Sequence, residues 1–558
     1  MAMESSATAK ANAPGLGKTC ACRPAWAAAV LISLAAAGIH VAFLTHAGGL
    51  WRDEVNTINL AGRHSLGEIA NDSFPVLMPL TVRAWLAMGW GESDTVLRLL
   101  GVMVGLGLLA ALWVAAWRGA RSPPALSLVL VGLNPTVIVY GDSLRAFGLG
   151  SLLVVLSVAA MCAFLQTPSW NRAALVGATA VLSVQAAYQN AILVGAICIG
   201  GWAVCWRRQS WPAAAKILAV GLVAAASLLP YWPKVVPLLE TSPASGVAYL
   251  RTEFRPALAF ASLSTALGFP VAQFIYVWGL FSLVIIGHGV AAWRTPLASP
   301  GGRASAAEPP HLPLFAAATL LTALAGFAGF LWFARLRTEP WYFLPPMALA
   351  AVCFELGLTR LPRRWFAVYL AFVAVTALVA APLALRGAQY RFTNVDLLAQ
   401  QLAREASPDD LVIVTPWNRG ISFERYFKAK TPWDTVPPLE DHSTHRYDLV
   451  QRQTQAKDPL GPLLGHIAAV LQSGHRVWVV GAMEIPRPGA PLPEPLPPPP
   501  LKYTGWSPGP YVRRWTSQTA QFLSNHSHQL VPVPGGPHEL INANENLDLF
   551  VAEGWEHP

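Results

Sequence analysis

Stretches of about 20 residues without a single charge recur along this chain, and they restrict its possible folds more than any other feature. Leu99–Trp117 and Ala146–Leu165 contain no Asp, Glu, Lys or Arg. A helix of that length crosses a ~30 Å hydrocarbon core while satisfying its own backbone hydrogen bonds, which lipid cannot do for it. Apolar runs occupy roughly 24–45, 98–117, 123–141, 146–165, 173–187, 188–206, 216–233, 270–293, 312–334, 340–359 and 365–385. They predict a polytopic α-helical membrane protein with about eleven transmembrane helices. Composition agrees, because 54% of the 558 residues are apolar and only 12% are charged, about half the charge of an ordinary soluble protein. The long stretch 173–206 is broken at Tyr188-Gln189-Asn190 and flanked by Arg172 and by Arg207-Arg208. It reads as a hairpin of two short spans returning to one side.

Charge sets the expected orientation. With the N-terminus inside, the inner segments before residue 386 carry 14 Lys/Arg and 3 acids, against 10 and 10 on the outer side. That bias satisfies the positive-inside rule. It also accounts for the net charge of +9 without any nucleic-acid partner. The first apolar run, Pro24–Leu44, is too long for a signal-peptide core and lacks a small-residue cleavage pattern, so it reads as an uncleaved anchor. Of the six cysteines, Cys20 and Cys22 precede that run and the rest lie within apolar runs; the long polar C-terminal region has none and so is not a disulfide scaffold. The expected organisation is a cytoplasmic tail (1–23), a transmembrane unit (24–385) and an extracytoplasmic C-terminal α/β domain (386–558).

That last region changes character. Asn394–Ala406, Leu460–Ser473 and Tyr511–Ser524 read as helices, and Asp410–Thr415, Arg476–Ala482 and Leu547–Ala552 as strands. Alternation of the two predicts a small α/β unit, interrupted by a Pro-rich extended loop over Pro486–Pro510.

Chemistry-bearing residues concentrate on the expected outer face. Trp51-Arg52-Asp53-Glu54 follows the first span directly. Paired acids beside apolar surface are disfavoured as ions. Two readings stand: a general base that activates an acceptor hydroxyl, or a hydrated loop with Glu54 capping the following helix. Val55–Asn71 has a helical apolar pattern suited to lying along the interface. A second candidate is the short loop Tyr140-Gly141-Asp142-Ser143-Leu144-Arg145. There Asp142 either caps the next span or serves a metal or an acceptor, and Arg145 either snorkels or holds a lipid phosphate. A third is Arg335-Leu336-Arg337-Thr338-Glu339-Pro340-Trp341-Tyr342, where two arginines on the outer side ask for an anionic partner. That partner is a lipid phosphate or a nearby Glu. The membrane runs hold almost no ionisable residues, contrary to an ion-coupled transport path. Glu355 is matched with the neighbouring Arg360. No Gly-rich phosphate loop is present.

Taken in order, four features resemble the GT-C superfamily of polyprenyl-phosphate-sugar-dependent glycosyltransferases, in its family 39-like branch. These are the acidic pair after the first span, the segment Asp72–Leu80 leading to Trp90-Gly91-Glu92-Ser93 and Arg98, the Asn134-Pro135 and Tyr140–Gly148 stretch, and the break at Tyr188-Gln189-Asn190. The branch includes protein mannosyltransferases, aminoarabinose transferases and lipopolysaccharide-core galacturonosyltransferases. The resemblance covers about residues 24–385. It implies an inverting transferase that moves a sugar from a polyprenyl-phosphate donor to a lipid, glycan or protein acceptor. The active site would face the periplasmic side of an inner (cytoplasmic) membrane. It further implies that Asp53 takes the acceptor proton, with Glu54 in support and Asp142 as a secondary group. Arg145, Arg335 and Arg337 would hold the donor phosphate, while Tyr188, Gln189, Asn190 and Tyr342 would help to bind substrate. A divalent metal, if one is used, would be held by Asp53 and Asp142; no other cofactor is implied. The chain departs from relatives that carry a basic residue before a proline pair in the first loop, having Phe74-Pro75-Val76 instead, which leaves the acceptor open. Two other functions fit the composition: a flippase for a lipid-linked saccharide, and a noncatalytic component of envelope polysaccharide assembly.

Overall fold

The computed structural model describes residues 23–70, 74–91, 93–233, 255–295, 311–334, 338–359, 362–487, 491–499, 508–534 and 540–556. Among them, eight helices are long and apolar enough to cross a membrane. They are α1 (Arg23–His46), α5 (Asp94–Ala120), α8 (Ala146–Gln166), α10 (Asn190–Arg207), and the helices beginning at Trp211, Phe274, Leu312 and Arg363. The other three apolar runs are helical but shorter or interrupted. The helix α9 (Trp170–Ala186) has 17 residues. The run 123–141 is divided into α6 (Ala125–Ser127), a π-helical turn and α7 (Pro135–Gly141). A 3-10 turn, Pro340–Phe343, precedes the 14-residue helix Leu344–Gly357. Large apolar side chains such as Leu31, Leu283 and Leu378 stand exposed on the bundle exterior. A membrane protein presents such side chains to lipid.

Polar groups fix the interruptions. Asn134 caps α7, its Oδ1 accepting from Thr136 N–H at 2.9 Å, with Pro135 at the first helical position, where its missing N–H costs nothing. Arg360, the expected partner of Glu355, lies outside the described residues. The Glu355 carboxylate accepts from the Leu126 and Ser127 amides, both at 2.9 Å, and from the Tyr369 hydroxyl. It thus satisfies the N-terminal donors of the broken α6. The α9–α10 break is closed by Asn190, whose buried amide reaches Gly150 O and Ser183 O, each at 3.2 Å.

Between α1 and α5 lie three shorter helices, α2 (Arg52–Ala61), α3 (Leu66–Ile69) and α4 (Leu77–Ala87). The interfacial helix expected over Val55–Asn71 therefore stops at Ala61 and restarts after Ser65, which accepts from Glu68 N–H.

Beyond Ala388 the chain forms a five-stranded sheet of β1 (Leu411–Val414), β2 (Trp433–Thr435), β3 (Val477–Val480), β4 (Gln529–Pro532) and β5 (Leu549–Glu553), in the order β2-β1-β3-β5-β4. β1 runs parallel to β2 and β3, while β5 runs antiparallel to β3 and β4. β1 and β3 are buried throughout because helices cover both faces, which is why they read as unbroken apolar runs. On one face Leu411, Ile413 and Val479 pack with Leu463, Ile467 and Trp515. On the other, Val412, Val414 and Val480 pack with Leu398, Leu402 and Phe423.

Candidate active site

Two loops leave the carboxyl ends of the parallel strands β1 and β2, the edge where open α/β sheets place their ligands. The first carries Arg419 and the second His445. Both meet α2, whose polar residues recur at Asp53, Asn56 and Asn59, three apart and therefore on one face. Asn56 Oδ1 accepts from the His445 amide at 3.0 Å, and Asn59 Nδ2 donates to Ser443 O at 2.6 Å. Arg63 extends the stripe, donating to Ser443 Oγ at 2.7 Å. The C-terminal unit thus covers this polar face, while the apolar side chains Val55, Ile58 and Ala61 pack with Met78 and Val82 of α4.

Asp53 stands at the head of the stripe, its side chain 14% exposed. Its Oδ1 lies 3.0 Å from His445 Nε2 and 3.4 Å from Arg52 Nε. Its Oδ2 lies 3.8 Å from a terminal nitrogen of Arg145. Burial alone would raise the carboxyl pKa. Arg145, the hydrogen bond with His445 and the charge of Arg52 outweigh it and hold Asp53 well below the usual carboxylate range.

Glu54, one residue on, points the other way and is fully buried. It accepts from Arg98 at 2.9 Å, from Trp51 N–H at 3.2 Å and from Leu144 N–H at 3.1 Å. Arg98 also donates to Gly48 O and Gly49 O at 2.7 and 2.9 Å. Glu54 therefore ties α2 to α5 and to the loop that carries Arg145; it positions Asp53 and Arg145 relative to one another.

Arg145 contrasts with Arg98. Its nearest acceptors are Asp53 O and Thr57 Oγ1, both at 3.4 Å, against 2.7–2.9 Å for the acceptors of Arg98; the Nε of both arginines is buried without a hydrogen-bond partner. Phe74 lies under the guanidinium, 4.8 Å from ring centre to Cζ. A buried arginine paired for structure closes to 2.7–2.9 Å, often bidentate. Arg145 is held in place but left underused.

Arg52 and Arg419 both pair with Glu545, and Arg419 lies within electrostatic reach of Arg52 and Asp53. Aromatic rings close the neighbouring wall: Tyr140 lies against Trp341 at 4.5 Å, and Trp51 against Phe392 at 4.9 Å. The Tyr140 hydroxyl accepts from Asn544 at 3.1 Å. Tyr342 lies within electrostatic reach of Asp53 and Arg145, and Gln189 Nε2 donates to Tyr342 O at 3.0 Å.

Other expected residues sit elsewhere. Asp142 lies on the far side of its loop, sealed against α5, and its Oδ2 is 2.6 Å from His40 Nδ1 of α1. Tyr188 packs edge-on against Tyr231 at 5.3 Å, and Asn190 serves the helix break. Arg335 and Arg337 lie outside the described residues. Asp53 and Asp142 hold different partners, and the described residues contain no cluster of three His, Cys, Asp or Glu side chains able to hold a metal ion. The pair does not fit a shared metal site.

No protein-family model and no curated protein matches this chain. Solved structures do. The chain is similar to ArnT from Cupriavidus metallidurans bound to undecaprenyl phosphate, with 14% identity, 81% of this chain and 92% of that one covered, and a TM-score of 0.48. It is also similar to the oligosaccharyltransferase of Archaeoglobus fulgidus in complex with Zn and sulfate, with 13% identity, 81% and 67% covered, and a TM-score of 0.45. A third is the archaeal oligosaccharyltransferase AglB from Archaeoglobus fulgidus with an inhibitory peptide and a dolichol-phosphate, at 12% identity, 81% and 69% covered, and a TM-score of 0.41.

Proposed function

We propose that this chain is an inverting glycosyltransferase that moves a sugar from a polyprenyl-phosphate donor to an acceptor at the extracytoplasmic membrane surface. The observation that carries the reading is Arg145, a buried guanidinium with only long contacts beside an ionised, hydrogen-bonded carboxylate. A lipid phosphate supplies the anion that such a guanidinium lacks, and Asp53 supplies the basic side of the reaction. Attack by an acceptor hydroxyl on the anomeric carbon opposite the phosphate inverts its configuration. As the carbon–oxygen bond to phosphate breaks, negative charge grows on the departing group, so Arg145 binds the transition state better than the ground state. Removal of the acceptor proton depends on Asp53. Arg335 and Arg337 are proposed as further phosphate contacts.

The test uses the purified full chain in lipid nanodiscs with synthetic undecaprenyl-phosphoryl hexoses and pentoses, following release of undecaprenyl phosphate. Asp53→Asn is expected to lower turnover at least ~100-fold, and Arg145→Met by about 100- to 1,000-fold, both with the protein recovered folded. Full activity of Asp53→Asn rejects the assignment.

A further inference from the structure

The C-terminal unit does more than cover α2, because it places an imidazole against the Asp53 carboxylate. With Asp53 ionised, its oxygens only accept, so His445 Nε2 carries the proton across their 3.0 Å contact. Nδ1, on the other edge of the ring, then bears the lone pair. That atom is buried and has no hydrogen-bond partner. The ring is clamped by neighbours that compete for neither nitrogen. Tyr447 stacks on it at 5.7 Å and 22°, and Trp417 meets it edge-on at 6.2 Å. The backbone is fixed independently by Asn56 at His445 N–H and by Asn59 and Arg63 at Ser443. Arg446, next in sequence, is committed to Asp441 and Asp448. A histidine needed only to dock the loop would not require this ring geometry, since the flanking bonds already dock it.

We propose that His445 is the general base of the transfer, with Asp53 orienting its ring and stabilising the imidazolium that forms. This deepens the glycosyltransferase reading and rests on it. In the step, the acceptor O–H loses its proton to His445 Nδ1 as its oxygen forms a bond to the anomeric carbon. The bond from that carbon to the phosphate oxygen breaks, and its electron pair leaves with polyprenyl phosphate. The enzyme ends with one added proton on the imidazole, which solvent removes. Two considerations favour the ring over the carboxylate. Arg145, Arg52 and His445 already draw on the charge of Asp53, which makes its oxygens poor proton acceptors. Imidazole basicity, by contrast, suits proton removal near neutral pH. The carboxylate–imidazole pair, one member orienting and the other accepting, is a general solution to activating a hydroxyl.

The test compares wild type, His445→Gln and His445→Gly on the same synthetic undecaprenyl-phosphoryl sugars. His445→Gln keeps a side-chain N–H for Asp53 but cannot take a proton. Its kcat is expected to fall at least ~100-fold, with donor KM and thermal midpoint held near wild type. Added imidazole is expected to restore activity to His445→Gly and not to Asp53→Asn. Activity of His445→Gln within about threefold of wild type overturns the proposal. So does a loss in His445→Gly that imidazole does not relieve while the variant remains folded. Should His445→Gly fail to fold, the separation of kcat from KM in His445→Gln decides. Absence of turnover by the wild type on every donor instead overturns the glycosyltransferase reading itself.

Discussion

Asp53 and Glu54 are adjacent and chemically alike, yet α2 turns them to opposite sides and so gives them different work. Asp53 faces the C-terminal loops and keeps some exposure. Glu54 is sealed among three donors, one of them the charged Arg98. Replacing Glu54 by Gln offers one acceptor oxygen where two are used and removes the charge facing Arg98. Breaking a buried ion pair from one side costs about 3–5 kcal/mol, so Glu54→Gln is expected to lower the thermal midpoint of the purified protein clearly. Asp53→Asn should act mainly on turnover. Thermal unfolding and turnover measured on both variants check this division. The acidic pair itself was legible from its place after the first apolar run. His445 was not, because 392 residues separate it from Asp53 and its polar loop carries no periodic pattern.

At the scale of elements, the loop that bears Arg145 is seated by missing side chains. Gly101 and Gly105 lie one turn apart on α5, and a Cβ on Gly101 would stand 1.8 Å from the Asp142 carbonyl oxygen. Gly101→Ala is expected to push that loop off α5. The cost is about 3 kcal/mol or more, since backbone cannot yield as a side chain can. Thermal stability and loss of undecaprenyl-phosphoryl sugar turnover, measured together, check it. Elements with strong periodicity were readable in advance: the helices Val395–Glu405 and Gly461–Gln472 and the strands β1, β3 and β5 lie within the ranges expected or within a residue of them. β2 and β4 were missed for physical reasons. β2 is three residues between prolines, and β4 is an exposed edge strand without an apolar run. The breaks in the run 123–141 were equally hidden, since an unbroken apolar stretch says nothing of a carboxylate arriving from Glu355 to cap a helix within it.

For the whole molecule, the contact between the outer loops and the C-terminal unit is polar and rich in ion pairs, which makes it sensitive to acid. Burial opposes ionisation of Asp53 and Asp441. Arg145 and His445 outweigh it at the first, and Ser443 and Arg446 at the second, so both carboxyls lie below their ordinary values. A carboxyl depressed in the folded state contributes stability that is complete above its unfolded value, about 3.9, and that disappears as pH falls through the folded value. Docking is therefore expected to hold from neutral pH down to about pH 4 and to loosen only below it. Hydrogen exchange at α2 and at residues 441–448, followed from pH 7 to pH 3, checks this. An onset of exchange at pH 6 would contradict it.

The sequence by itself determined the membrane class, the apolar spans and the existence of a small α/β unit, because runs of about 20 uncharged residues and alternating patterns are local properties of a chain. It also marked Asp53 and Arg145 as residues out of keeping with their surroundings. Only the tertiary structure decided which groups meet. It turned Glu54 inward, paired Asp142 with His40, and carried His445 and Arg419 from the carboxyl edge of a distant sheet to α2. Contacts of that kind depend on how rigid elements pack across hundreds of residues, and no local pattern encodes them.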